Sequence, residues 1–400
     1  MDVTLTRGLS DRRLLAPLFV ATFAVIYSGT VLGALVTPIA TEFGVSPGSV
    51  GLAAAAYATP GILIGLIAGP LSDRFGRGWF LAGGTLGLGS LTLVAALAPT
   101  FEWLAITRAL AGLGAAMILP NMMATVADRF PFRERARIVG FVFTSNTIGG
   151  IAGLTVAGIV AERFGWRVSL ASAGVMALVA FTLLVVMHGR AHTASKVVSM
   201  RSLYTSVLTD RSALCLLGSN MLGVVAVTSW TLYIIPFFQQ TYGIAQGLAS
   251  TYALVQSGGM LVGSQIGGRL GGIGQKQLLC AALVSYGLLL FAVLFTVPAL
   301  PLAMLGLVAA GTCFGLRATA NASIMAEQAV SARTTVFAFS AATVSAGTVV
   351  AGAAGGGALD AGGFGALGLF CLVSAVLSAL LVAAFVRERA AEKPAAPAAG

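Results

Sequence analysis

The chain has 400 residues, a formal net charge of +10, 58% hydrophobic residues and only 9% charged residues. Its mean hydropathy is +0.95. Soluble domains carry about 25% charged residues, so this much apolar chain excludes a soluble fold. The basic residues are dispersed and form no single patch, which argues against a nucleic-acid partner and for contact with anionic lipid.

The first residues, Met1 to Arg13, are polar and lack a signal-peptide cleavage pattern. Twelve apolar stretches follow, near 14–37, 49–71, 79–98, 101–126, 137–160, 167–187, 213–239, 248–268, 277–297, 302–325, 334–358 and 364–386. Each is close to the roughly 20 residues that a hydrocarbon core requires. With residue 1 inside, all but four of the 23 Lys and Arg residues fall in cytoplasmic segments. Arg163 and Arg167 are outside, and Arg108 and Arg317 lie within spans. Positive charge resists translocation, so a multi-pass cell-membrane protein with both termini cytoplasmic is predicted. Cys215, Cys280, Cys313 and Cys371 all fall inside spans, with neither a disulfide framework nor metal-ligand spacing.

A shift of 198 residues aligns the two halves. Gly61, Gly65 and Gly69 match Gly259, Gly263 and Gly267; Gly149 matches Gly347, Gly158 matches Gly356, and Glu162 matches Asp360. The expected fold is therefore all-α: twelve transmembrane helices in two pseudo-symmetric six-helix bundles, 1–188 and 212–389. A cytoplasmic linker covers 189–211, and 390–400 is an Ala/Pro-rich disordered tail. Parallel repeats of this kind place a substrate site at the midplane, between the halves. The glycine stripes let backbones approach closely, either in a seam that slides or in static packing.

Between the second and third spans stands Gly69-Pro70-Leu71-Ser72-Asp73-Arg74-Phe75-Gly76-Arg77. This closely resembles the G-x-L-x-D-R-x-G-R loop signature of the major facilitator superfamily. The counterpart at Gly267 to Lys276 keeps glycines and some charge but lacks the acid. The resemblance covers nearly the whole chain and implies a secondary transporter working by alternating access. Asp73 can accept from Arg77 and can face the positive N-terminus of the eleventh helix; Arg74 and Arg77 can reach Asp128. Gly69, Asp73, Arg74, Gly76, Arg77 and Asp128 are thus the expected cytoplasmic gate.

Arg108-Ala109-Leu110-Ala111-Gly112-Leu113-Gly114-Ala115-Ala116 resembles the superfamily's R-x-x-x-G-x-G-A-A pattern. In proton-coupled relatives this arginine is thought to relay protons or tune a nearby acid; it can equally clamp carbonyls of the first helix. An intramembrane arginine is expensive and should face the bundle interior or a wet cavity. Arg317 has no repeat partner, since subtracting 198 gives Leu119. If it lines the cavity, the cargo is anionic or zwitterionic; otherwise it snorkels or binds backbone carbonyls. No acid lies near the centre of the expected cavity helices, and Glu327, Asp73 and Asp128 are all near the cytoplasm. His188 and His192 fall in the linker.

The fifth span has Gly149-Gly150-Ile151-Ala152-Gly153, with glycine where many drug:proton antiporters carry G-P-x-x-G. In the seventh, Trp230, Tyr233 and Phe237 share a helical face. With Tyr27, Asn121, Asn146, Gln256 and Asn321 they can line a mixed aromatic and polar cavity, although belt and packing roles explain most membrane aromatics.

Nothing in the chain forms a phosphate-cradling loop or a Ser/His/Asp constellation, so no enzyme, metal or cofactor is expected. The leading expectation is proton-driven efflux of small amphipathic organic compounds by a monomer of the drug- and sugar-efflux type. The rival is an organic-anion carrier or exchanger using Arg108 and Arg317. A non-transporting receptor on the same fold is a third class.

Overall fold

A computed structural model describes residues 15–130, 132–187, 208–270, 274–328 and 333–387. The expected linker (189–211, but for its last four residues), the tail and the first fourteen residues lie outside them.

The described residues are helical throughout, without strands. In chain order the helices are α1 Leu15–Phe43, α2 Pro47–Phe75, α3 Arg77–Ala96, α4 Phe101–Arg129, α5 Phe132–Phe164 and α6 Trp166–Met187. The second half has α7 Arg211–Tyr242, α8 Gln246–Arg269, α9 Gln275–Thr296, α10 Leu300–Gln328, α11 Arg333–Val350 and α12 Gly356–Phe385. A π turn at Ala351–Gly355 joins the last two, and the helical path breaks at Gly362 and Gly363 (φ 66°).

Local chemistry sets the helix ends. Ser46 accepts from the Ser49 N–H (3.1 Å) with Pro47 at the first helical position of α2. Asp210 accepts from the N–H groups of Ser212 and Ala213 to start α7. Gly243, at φ 64°, ends α7 by donating to the Gln239 carbonyl, a left-handed cap that favours glycine.

Among the described residues, ten stretches are long and apolar enough to cross a membrane, and side chains such as Leu63, Ile106, Leu305 and Leu380 are exposed around the outside. The chain is thus a multi-pass membrane protein. Three expected spans need comment. The one predicted at 248–268 forms α8, but Gln, Ser, Thr and Gly make it too polar to qualify by composition. The last two fall in one 47-residue apolar stretch, Phe339–Phe385. As one straight helix this would be about 70 Å long, over twice the hydrocarbon thickness; the break at Gly362–Gly363 divides it.

Packing repeats between the halves. In the first, α1 packs on α5 and α6, α4 on α2 and α3, and α3 on α6. In the second, α7 packs on α11 and α12, α10 on α8 and α9, and α9 on α12. The halves meet through α2 with α11, α5 with α8, and α1 with α7.

The apolar core is divided unevenly. One cluster draws on both halves and holds Val31, Leu35 and Ile39 with Trp230, Ile234 and Phe238. Two others stay within one half each, around Leu18, Leu88 and Ile118 and around Leu216, Leu283 and Ile324. The halves therefore share a core where α1 ends and α7 ends, and keep separate cores where α1 and α7 begin.

Candidate substrate site and gates

Arg108 is sealed in the first half. At 0% exposure, it donates from Nη1 to Ser28 Oγ (3.0 Å) and from Nη2 to the Ser28 carbonyl (2.6 Å). Its Cζ lies 4.1 Å from the centre of the Tyr57 ring, and Tyr57 Oη donates to the Val25 carbonyl. The arginine thus ties α4 to α1 with α2 stacked on it. Gly112, one turn on, lies against the Tyr57 backbone, where a Cβ would collide with the carbonyl.

Arg317 occupies a comparable position in the second half. Its Nη2 donates to the carbonyl and to Oδ1 of Asn220, both at 3.2 Å. Asn321 Nδ2 donates to the same Oδ1 (3.2 Å), and Asn220 Nδ2 faces the hydroxyls of Ser340 and Thr343. The guanidinium is held against α7 beside Gly223 rather than reaching to the membrane surface, and only 4% of the residue is exposed. In both halves the fourth helix sets an arginine on a carbonyl of the first. The two positions are not repeat partners, because Arg317 lies three turns further along its helix.

Other expected site residues scatter. Trp230 Nε1 donates to Gln256 Oε1 (2.7 Å), which joins α7 to α8. Tyr286 and Phe314 pack together near this pair (6.2 Å between ring centres). Asn146 keeps a buried Oδ1 with no hydrogen-bond partner, and Asn121 donates to the Met117 carbonyl of its own helix. Tyr27 turns into its own half, with Oη 2.6 Å from Ser172 Oγ on α6. Phe237 sits at 0% exposure among Trp230, Phe238, Tyr242 and Phe364, as a packing residue. Tyr233 crosses between halves, donating to the Gly48 carbonyl (3.3 Å). Trp230 and Phe237 therefore pack on each other, while Tyr233 crosses to the other half.

The hydrogen bonds that join the halves among the described residues gather at one end. Thr37 donates to Gln239 Oε1 (2.6 Å), Gln246 Nε2 to the Ala34 carbonyl (2.9 Å) and Thr155 to the Ser250 carbonyl (3.2 Å). Two carboxylates complete the closure. Glu162 on α5 accepts from the Gly247 N–H at the start of α8 (2.9 Å). Asp360 accepts from the Gly48 N–H at the start of α2 (3.0 Å) and from Ser46 Oγ (2.6 Å). Gly48 and Gly51 face Gly356 and Gly352 so closely that a Cβ at any of the four would strike a facing carbonyl.

The glycine stripes serve different purposes. Gly259, Gly263 and Gly267 pack against Val308, Thr312 and Thr319 of α10, within their own half. Gly61 faces Ser345 across the halves, and Gly65 has open space. Of the expected gate, Gly76 (φ 98°) donates to the Ser72 carbonyl and turns the chain from α2 into α3, with Arg77 opening α3. Gly69 lies within α2, and the side chains of Asp73, Arg74, Asp128 and Glu327 lie outside what the structure describes.

Asn220, Tyr57 and Tyr286 were not among the expected site residues. Asn220 had a sequence signal, because Ser219-Asn220 interrupts an otherwise apolar run. Tyr57 and Tyr286 had none beyond being aromatic.

The Major Facilitator Superfamily model matches residues 18–273 and 226–400, and the chain belongs to that family. A chloramphenicol resistance protein of Streptomyces lividans is 27% identical over 276 residues, 66% of this chain and 69% of that protein. The 4-hydroxybenzoate transporter PcaK of Pseudomonas putida is 30% identical over 156 residues, 39% of this chain and 35% of its own length. Several curated relatives are matched over less than two fifths of their length, from 22% to 37%. Among solved structures, a D-xylose-proton symporter superposes with a TM-score of 0.74 at 16% identity, over 94% of this chain and 98% of that one.

Proposed function

We propose that the chain is a secondary transporter of twelve transmembrane helices in two six-helix bundles, 1–188 and 212–389, working by alternating access. Its cargo is a small amphipathic organic compound, exported at the expense of the proton gradient. The observation that carries this reading is the uneven core: joined at one end, separate at the other. Rocking between such bundles exchanges which end is closed, around a fixed site. By the distribution of Lys and Arg, the joined end is outside and both termini are cytoplasmic. Asp73, Arg74, Arg77 and Asp128 then close the cytoplasmic end in the opposite state. The likeness to a chloramphenicol resistance protein supports export of an organic compound.

A second reading, an organic-anion carrier or exchanger, is favoured by one observation: Arg317 is buried with only neutral acceptors around it. The likeness to a 4-hydroxybenzoate transporter is in keeping with it.

The experiment is purified protein in liposomes with an internal pH reporter, challenged with cationic, neutral and anionic aromatic compounds. Proton movement tied to one class establishes proton-coupled transport. Counterflow of an anion without proton movement replaces it with exchange, and no flux of any class refutes transport.

A further inference from the structure

We propose that Arg317 anchors an anion subsite in the second half, and that the cargo carries a carboxylate on an aromatic or similarly flat apolar body. This rests on the transporter reading and names its substrate class.

The two buried arginines differ in a way that assigns them different tasks. Arg108 has both terminal nitrogens bonded to Ser28, its face on Tyr57 and no exposure. Both terminal nitrogens are taken up by the fold, and its Nε, like that of Arg317, is buried without a partner. Arg317 makes its bonds through Nη2 alone; Nη1 makes none among the described residues, and Nε is buried without a partner. The residue as a whole keeps 4% exposure, against 0% for Arg108.

Its acceptors, the carbonyl and Oδ1 of Asn220, are both neutral. None of the described carboxylate side chains (Glu42, Glu102, Glu134, Glu162, Asp210, Asp360) forms an ion pair or hydrogen bond with it. Glu327 on the same helix is ten residues on, about 15 Å of helical rise away. A cation at membrane depth with neutral partners is costly and marks a functional site by default. Nη1 makes no hydrogen bond among the described residues, and its N–H groups suit a charge-assisted hydrogen bond to a carboxylate oxygen.

The surroundings give the rest of the cargo its character. Arg317 Cζ lies 5.7 Å from the Phe314 ring centre, and Phe314 packs on Tyr286, whose Oη is buried without a well-formed hydrogen bond. Asn321 and Gln256 add amide groups on the flanks. Flat apolar walls, one unpaired hydroxyl and one cation suit an aromatic acid better than a neutral or cationic compound.

The test is calorimetric titration of the full chain in nanodiscs of neutral lipid with benzoate, phenylacetate and 3-phenylpropionate, each paired with its primary amide. At least one acid should bind about tenfold or more tighter than its amide, a gap of ~1.4 kcal/mol. Arg317→Gln should erase the preference, and Arg317→Lys should keep part of it. If Arg317→Gln fails to fold, Arg317→Lys and the wild-type acid–amide pairs decide. Equal binding of acid and amide, no binding of any acid, or an undiminished preference in Arg317→Gln overturns the proposal. The readout is binding, so an acid that binds but is not moved in liposomes sustains the subsite while ending the carrier reading.

Discussion

Glu162 and Asp360, 198 residues apart, make the same contact in opposite directions. Each is a carboxylate late in one half that accepts from the backbone N–H of the second residue of a helix in the other half, Gly247 of α8 and Gly48 of α2. The first turn of a helix offers unsatisfied donors and a positive dipole end. The α8 N-terminus has no side-chain cap of its own, so Glu162 supplies from across the seam what Ala245 cannot. The internal repeat therefore yields a two-fold latch at the end where the cores are joined.

Removing the latch should free those amides first. For Glu162→Ala and Asp360→Ala, each expected loss is about 0.3–1 kcal/mol, the usual value of a charge at an exposed helix N-terminus. Hydrogen–deuterium exchange should then quicken in the first turns of α8 and α2 respectively, with the interiors of α3 and α9 unchanged. Exchange equal to wild type in both turns would show that the contacts hold nothing.

Glycines facing across the halves and glycines facing within one half should respond differently. A Cβ at Gly352 meets the Gly51 carbonyl, and one at Gly263 meets the Thr312 carbonyl of the same half. Gly352→Ala should shift the protein towards the state opened at the joined end, seen as increased thiol labelling of a cysteine introduced at Thr37. Gly263→Ala should lower thermal stability, by about 1–3 kcal/mol for overpacking, with labelling at Thr37 unchanged. The same response from both variants would dissolve the distinction.

Arg108 should behave as a structural clamp. Arg108→Gln removes the guanidinium that holds Ser28 and stacks on Tyr57. Breaking a buried charged contact by deleting one partner costs about 3–5 kcal/mol, discounted here because Ser28 and Tyr57 are neutral. A fall of several degrees in the melting temperature is expected, only partly recovered by Arg108→Lys. An unchanged melting temperature would return Arg108 to the list of free functional groups.

Asn220 supplies the neutral acceptors that hold Arg317. Asn220→Asp places a carboxylate where Oδ1 now accepts from both Arg317 and Asn321. The resulting internal ion pair should raise thermal stability and abolish acid binding together. Asn220→Leu should lower stability, because the arginine loses a side-chain acceptor. Acid binding that survives Asn220→Asp would separate Asn220 from the subsite.

The sequence made the helices legible because each apolar run must satisfy its backbone internally in lipid. α8 blurs, since its Gln, Ser and Gly content serves packing on α10 and the seam with α5, and the last two spans merge into one apolar stretch, Phe339–Phe385. The repeat offset even paired Glu162 with Asp360, but what they bind could not be read, because the partners are helix starts in the other half. The spacing of Trp230, Tyr233 and Phe237 puts them on one side of a helix. Their separate fates depend on α8, α2 and the packing of Phe364, none of which periodicity encodes. Asn220 shows the same limit: a polar residue in an apolar run announces a partner but does not name Arg317, 97 residues away.

A transporter of the proposed kind must open its joined end while it works. Single-molecule fluorescence energy transfer tests it directly, with dyes on cysteines introduced in the turns at 44–46 and 243–245, the native cysteines replaced, in liposomes. Two interconverting distances are predicted for the wild type, with the longer one more populated when Glu162 and Asp360 are both replaced by Ala. A single short distance in both proteins would contradict the account.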